Sequence, residues 1–558
     1  MRLIAGLLRN LASSRIRGRG ELRAAARALG HRADGLRLAQ EGDFEAARRE
    51  LARAVELAPN DADAHALLGN VHALTGQRVA AEQEYRAALE RMPDHLAART
   101  NYGLLLRESG RAAEALQCFR NVLEREPRYD AALKGLASPA GGGVEAAGLL
   151  SVAESSVRRA PQYALTHATL GFLRLKCAFE PAGALVELDV AIALGLSDSD
   201  TLGNRAIALQ DLGRMEEALD AYAEALERDP ANVVIRWHRA LALLLMERFE
   251  EGWDDYDLRL QSNDRPVRTF RQPRWNGEPL AGKTLLVHAE QGLGDEIMFA
   301  SCYGELIAAA SHCIIDCHPK LEAVFRRSFP EADIHGGLQD TGRSWLDAYR
   351  KADYQCPAGS VPRHLRYSRT AFPYHRGYLR ADPSRVDYWR KRIVGSGART
   401  AVGISWRGGT RVSRSPMRSV ALREMLPLLR TEGVLWISLQ YDASAVEVGD
   451  FARREGVNLL HWPEAIDNYD ETAALLCALD MVTSVCTAVI HLCGALGRPV
   501  SVLAPLAPEW RYGAVSERMP WYPSVRVYRQ AHLGDWSVPI ERVRADVRAL
   551  LASAKLLE

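Results

Sequence analysis

Four prolines, Pro59, Pro93, Pro127 and Pro161, recur at one fixed interval. With proline at about 5% of residues, three further hits in register arise by chance on the order of once in ten thousand. Other positions keep the same interval: Gly35, Gly69 and Gly103; Gly42, Gly76 and Gly110; Ala47, Ala81 and Ala115; and Leu51, Tyr85 and Phe119. A fixed period in the range of helical repeats constrains the fold more than any other feature. Each period is one unit that cannot bury its apolar face alone, so units must stack.

The spacing resembles the tetratricopeptide pattern of paired antiparallel helices. Glycine and alanine sit where the two helices of one repeat press together, and the aromatic fills the gap between neighbours. The second glycine lies in the turn, and the proline stops the second helix. The step from Pro161 to Pro230 is one longer than two periods, which predicts a single inserted residue near Glu180-Pro181. Gly213, Ala218, Tyr222, Ala225 and Pro230 mark another unit, and a last helix pair is expected from Val233 to about Leu260. The count is about seven units, giving an all-α superhelical domain over residues 28–266. Ser138, Pro139 and Gly141 to Gly143 weaken the fourth repeat and read as a hinge or a longer turn. Stacked repeats usually offer a groove to a protein or peptide, and the alternative is a plain spacer.

Lys plus Arg number 71 against 70 Asp plus Glu, a net charge of +1, so no global attraction to nucleic acid is expected. Nine scattered cysteines without CxxC or zinc-like spacing suit reduced thiols and a cytoplasmic protein. No apolar run is long enough to span a bilayer, so no transmembrane segment is expected. Residues 1–27 form a basic leader, helical or disordered, or a weak amphipathic surface helix.

From Lys283 the character changes. Short apolar runs at 284–290, 313–317, 401–406, 434–439, 458–461, 481–484 and 499–503 alternate with helical stretches at 297–310 and 320–329 and beyond. That alternation predicts parallel sheets covered by helices. An irregular stretch at about 335–382 separates two such runs, which predicts two Rossmann-like lobes, 280–382 and 383–558. Ligands in such folds bind beyond the carboxyl ends of the strands.

Three polar turns follow strands. The first holds Gly292, Gly294 and Asp295; its glycines let a backbone approach closely, and Asp295 could take a proton from an acceptor hydroxyl or simply cap a helix. The second runs Trp406-Arg407-Gly408-Gly409-Thr410 with Arg411, Arg414 and Arg418 behind it. It fits a diphosphate or a solvated basic loop. The third is Cys486-Thr487 to His491, where Thr487 and His491 share a helical face. His491 is either a nucleotide contact or an interior histidine, and Cys486 reads as a small buried residue rather than a nucleophile.

Taken in order, HAEQGLGDEIMFASCY, GISWRGG with MRS behind it, YDETAALLCALDMVTSVCTAVIHLCGALGRPV, and PEWRYG with MPWYPSVRVYRQ resemble bacterial proteins that join tetratricopeptide repeats to a GT-B glycosyltransferase-like domain. That domain is similar to heptosyltransferase-like enzymes and, in plan, to the protein O-GlcNAc transferase arrangement. The resemblance covers about residues 28 to 535. It implies inverting, metal-independent transfer of a sugar from a nucleotide-sugar donor, with no cofactor. It implies an acceptor lobe with Asp295 as general base. It implies a donor lobe that holds the nucleotide sugar with Trp406, Arg418, Ser419, Gln440, Glu471, Thr487 and His491. Heptosyltransferase-like sequences usually carry Asp-Thr where this chain has Cys486-Thr487, which leaves the nucleotide unassigned. The partner implied is a protein acceptor in the repeat groove, with flagellin the best single guess and Ser or Thr hydroxyls as targets. The competing readings are a non-catalytic adaptor or chaperone with a degenerate sugar-nucleotide binder, and a transferase acting on lipopolysaccharide or another glycan.

Overall fold

The structure is a computed structural model that describes residues 19–138, 146–261, 268, 270–337, 351–409 and 414–555, with backbone only at 19–22 and 554–555. Pro139, Gly141 to Gly143, Thr410, Arg411 and positions 1–18 of the leader lie outside the described residues. The chain forms two compact units, Met1–Ser197 and Asp198–Glu558.

The first unit is helical. Among the described residues its helices are α1 (Arg19–Gln40), α2 (Phe44–Leu57), α3 (Ala62–Leu74), α4 (Arg78–Arg91), α5 (Leu96–Glu108), α6 (Ala112–Arg125), α7 (Asp130–Ala137), α8 (Ala146–Arg159), α9 (Ala164–Leu173) and α10 (Pro181–Ala193). The repeated glycines do what the spacing predicts. A Cβ on Gly69 would lie 2.9 Å from the Tyr85 ring, and one on Gly103 would lie 3.0 Å from Phe119. The large residue thus packs onto the glycine of its own repeat. Gly42, Gly76 and Gly110 turn between the helices with φ of 85°, 75° and 78°, which L side chains adopt only with strain.

The sequence also repeats a staple that its period alone does not explain. His31 bonds Glu50 at 2.5 Å, His65 bonds Glu84 at 2.6 Å, and His167 bonds Glu187 at 2.7 Å. The second ring nitrogen of His65 and His167 reaches the carbonyls of Pro59 and Pro161. These two histidines therefore tie their repeats to the proline that ends the one before.

The inserted residue is found slightly earlier than expected. The step from Gly171 to Ala184 is one longer than the equivalent step from Gly35 to Ala47. The extra residue is absorbed by a π-turn, Arg174–Ala178, which closes on Phe179 at φ 59°. A π-turn is the local device for adding one residue to a helix without breaking it.

The second unit opens with two more helix pairs: α11 (Ser199–Asp211) with α12 (Met215–Arg228), and α13 (Val233–Leu245) with α14 (Phe249–Tyr256). A parallel sheet follows with strands β1 (Thr284–His288), β2 (His312–Asp316), β3 (Asp333–His335) and β4 (Tyr354–Pro357) in the order β3-β2-β1-β4. The stretch expected to be irregular thus contributes β3 at its edge and β4 within it. Both strands are too short for an alternation to show. The second sheet holds β5 (Thr400–Ser405), β6 (Val434–Ser438), β7 (Leu459–His461), β8 (Met481–Val485), β9 (Val500–Ala504) and β10 (Val525–Arg529). It is also parallel, in the order β10-β9-β8-β5-β6-β7. Every residue of β5, β6, β8 and β9 is buried, which explains their largely apolar sequence. This is the two-lobed α/β plan of a GT-B fold.

The last helix pairs are built into this unit. The α11 residue Asp211, 1% exposed, pairs with Arg414, and Glu247 in the α13–α14 turn pairs with Arg369. Trp253 Nε1 donates to the Arg366 carbonyl at 2.9 Å, and Ala514 N donates to the Leu245 carbonyl at 2.8 Å.

Candidate functional site

In each sheet the strand order reverses beside its first strand, between β1 and β4 and between β5 and β8. Crevices at such reversals are where open α/β sheets bind ligands. The turn after β1 carries Gly292, Gly294 and Asp295. The turn after β5 carries Trp406 to Gly409, and the turn after β8 carries Cys486 and Thr487. All three turns singled out in the sequence therefore leave strands at a reversal point.

They also meet. Helix α15 (Leu293–Phe299) packs on α18 (Ala488–Ala495); among the helices between them in sequence are α16 (Pro383–Gly395) and α17 (Tyr469–Ala478). Gly294 is the point of approach: a Cβ there would lie 2.9 Å from His491 Cδ2 and 3.3 Å from Ala488 Cα. Its glycine thus serves contact between the two lobes. Gly408 makes the matching approach within the second lobe, where a Cβ would lie 2.6 Å from the Cys486 carbonyl and 3.0 Å from Thr487 Cγ2.

Asp295 is at the third position of α15, and its Oδ2 accepts the Gly292 N–H at 3.3 Å. The capping role is thus real, but only half of the carboxylate is used for it. Oδ1 accepts from Arg511 Nε in an ion pair whose side chains are 17% and 19% exposed. His491 lies beside them, 3% exposed, with Nδ1 3.2 Å from the Tyr522 hydroxyl and Nε2 3.4 Å from the Tyr512 hydroxyl. Burial, with help from the Arg511 charge, holds its imidazole down to about 3, so it is neutral at physiological pH. Both of its nitrogens have partners, which favours the interior-histidine alternative.

Glu296, next to Asp295, is a site feature that the sequence does not announce. It is 2% exposed, accepts the His318 N–H at 3.0 and 3.2 Å, and is pushed up to about 8, chiefly by burial. Nothing in the sequence distinguishes it from a surface glutamate of a helix first turn. The buried Cys486 is raised to about 11 by burial, so it is a thiol and not a nucleophile.

The residues expected to hold a donor divide into two groups. Arg418 donates to the Cys486 carbonyl at 2.6 Å and pairs with Glu509. Ser419 Oγ accepts the Gly408 N–H at 3.2 Å, and Thr487 Oγ1 lies 3.0 Å from Ser484 Oγ at the start of α18. These three gather around the Gly408–Cys486 approach. The others are committed elsewhere. The Trp406 indole is part of the lobe core with Val420 and Met425. Gln440 does not face a cleft: it is fully buried, its Oε1 accepts from Ser405 Oγ, Trp406 N and Arg407 N, and its Nε2 donates to Arg407 O and Asp442. It fixes the shape of the turn after β5. Glu471 accepts from Arg385 Nε at 2.7 Å and Trp389 Nε1 at 2.8 Å, tying α17 to α16. Arg414 is turned toward Asp211, at 2.6 Å, and away from the phosphate role that its spacing suggested.

Protein FlbA of Caulobacter vibrioides is 31% identical over 424 residues, which cover 72% of this chain and 70% of FlbA. The chain belongs to the FlbA family. Within this family member, residues 35–76 match a family described as TPR repeat, and residues 75–130 and 199–232 match the tetratricopeptide repeat. Among solved structures it is similar to the Escherichia coli ADP-heptose lps heptosyltransferase II, at 15% identity and a TM-score of 0.36, over 49% of this chain and 99% of that one. It is also similar to Pseudomonas aeruginosa pilF, at 22% identity and a TM-score of 0.31, over 40% of this chain and 99% of that one. Among the described residues no helix is long and apolar enough to cross a membrane.

Proposed function

We propose that this FlbA-family chain is an inverting, metal-independent protein glycosyltransferase. In this reading the helical repeats hold a protein acceptor, flagellin being the best candidate, and a sugar passes from a nucleotide-sugar donor to its Ser or Thr hydroxyls. The observation that carries it is the meeting of three strand-end turns at the two reversal points. It is supported by the position of one carboxylate, Asp295, between the lobes.

Asp295 takes the proton of the acceptor hydroxyl as its oxygen attacks the anomeric carbon. The nucleotide leaves from the opposite side with the bonding electrons. The first-turn N–H groups of α18, Ser419 Oγ, Thr487 Oγ1 and the Arg418 guanidinium are the groups near which that negative charge develops. Neutral His491 keeps a second cation away from Asp295.

A second reading, that the fold binds a sugar nucleotide without turning it over, is favoured by the engagement of Arg418 with Glu509. Incubation with UDP, ADP, GDP and CMP sugars and a purified acceptor, followed by intact mass, separates the two. A sugar-sized increment on the acceptor supports transfer. Thermal stabilisation by one nucleotide with no increment under any donor supports binding alone.

A further inference from the structure

One short segment touches every part of the second unit that matters to the site. From Glu509 to Ala514, successive residues reach different partners. Glu509 pairs with Arg418, and Arg511 pairs with Asp295. The Tyr512 hydroxyl lies on His491, and Ala514 N bonds the carbonyl of Leu245 in α13. Gly513, at φ 61°, is packed so closely that a Cβ would lie 2.9 Å from Glu247 Oε1 in the α13–α14 turn.

Trp510 is the anchor. Only 5% exposed, it meets Trp253 edge-on at 5.5 Å and Tyr256 at 5.4 Å, both on α14. It also stacks at 6.5 Å on Phe299, the last residue of the helix that carries Asp295. A second link runs from α14 to the same loop, where Gln291 Nε2 lies 3.0 Å from the Tyr256 hydroxyl, one residue before Gly292. The last helix pair therefore grips both sides of the Asp295 loop, through Gln291 on one side and through Trp510 and Arg511 on the other.

We infer that Arg511 is a positioning residue for Asp295, and that α14 fixes Arg511 through Trp510. The inference rests on the transferase reading and assigns a role that reading leaves open. Asp295 sits on a short helix and, among the described residues, has one other donor, the Gly292 N–H at 3.3 Å. A single backbone bond of that length leaves a carboxylate free to change rotamer. The Arg511 guanidinium is planar, donates from a fixed fork and is itself held between Trp510 and Asp295. It occupies one oxygen of the carboxylate and leaves lone pairs on both for an incoming hydroxyl. A base held in one orientation is worth far more than one that samples several, and a displacement of about 1 Å can cost about a hundredfold in rate.

The test compares wild type with Arg511→Met, Arg511→Lys and Trp253→Phe in the full chain. Transfer is read by intact mass across the sugar-nucleotide panel. The expected result for Arg511→Met is a roughly hundredfold lower kcat with the donor KM unchanged. Arg511→Lys should recover part of it, and Trp253→Phe should show a smaller loss in kcat alone. An unchanged kcat in Arg511→Met, or a loss confined to donor KM, overturns the inference.

Thermal unfolding of Asp295→Asn, Arg511→Met and the double variant gives a readout independent of turnover. The double variant should lose no more than the larger single loss; strictly additive losses overturn the positioning role even if no donor is turned over. Absence of turnover in wild type with coupling intact instead counts against the transferase reading alone, and the hold of Arg511 on Asp295 stands.

Discussion

The two units of this chain are held together on different length scales. In the first, the tying contacts lie within one helix pair: His31 to Glu50, His65 to Glu84 and His167 to Glu187 are 19 or 20 residues distant. In the second, they join residues far apart in the chain. Arg327 reaches Asp470 across 143 residues, Arg414 reaches Asp211 across 203, and Arg511 reaches Asp295 across 216. A local, repeated network lets one period be read from the next. A network of unique distant pairs carries a site, because it can bring single residues of different strands to one point.

The α11–α14 helices break the symmetry of that comparison. By sequence they continue the repeat pattern, yet by packing they belong with the α/β lobes. Truncation gives the largest expected effect. Residues 198–558 should fold as a cooperative unit, whereas residues 280–558 should lose cooperative unfolding because Trp510, Arg414 and Arg369 lose their partners. Circular dichroism melts of the two fragments decide it. Equal cooperativity would mean that the helix pairs are only neighbours of the site.

Glycines sharpen the comparison at single-residue scale. Gly294→Val pushes a branched side chain into His491 and Ala488 and should cost about 1–3 kcal/mol, seen in thermal unfolding of the second unit alone. Gly69→Ala in the first unit meets the Tyr85 ring at 2.9 Å, but its better helix propensity offsets about 1 kcal/mol. It should therefore cost less than Gly294→Val. A larger loss at Gly69 than at Gly294 would invert the account of which unit tolerates adjustment.

A pH test probes the second unit alone, through two buried groups that titrate in opposite senses. Glu296 has its proton affinity raised from an ordinary 4.5 to about 8, so the folded state holds a proton that the unfolded chain releases. Its stability contribution is complete below pH 4.5 and is lost as pH rises through 8. Glu296→Gln should therefore match wild type near pH 4 and melt higher than wild type at pH 8. His491 works on the opposite side. Its depressed value of about 3 gives stability above 6.5 that is lost as pH falls toward 3. A Glu296→Gln variant with an unchanged pH profile would show that the buried carboxyl is ionised in the fold.

Legibility in the sequence follows the same division. The repeat register is visible because glycine, alanine, proline and the large residue recur at fixed steps. Even the insertion shows, as a proline step one longer than two periods. Buried parallel strands are visible because both faces of β5, β6, β8 and β9 are largely apolar. The short β4 is not, since a run such as Tyr-Gln-Cys-Pro carries no period. For the site, the turns are legible as glycines after strands, but the bonding of each polar side chain is not. Nothing local says that Gln440 turns inward to hold three donors, that Glu471 binds Trp389, or that Arg414 pairs with Asp211. Arg511 is in view within PEWRYG, yet its partner is 216 residues away.

The central claim is that Asp295, held between the lobes, is the base of a sugar transfer. The most direct measurement is intact mass of a purified acceptor after incubation with the sugar-nucleotide panel, for wild type and for Asp295→Asn. The account predicts a sugar-sized increment with wild type and a loss of at least about a hundredfold in Asp295→Asn, with nucleotide binding retained. An increment of undiminished rate in Asp295→Asn would contradict it.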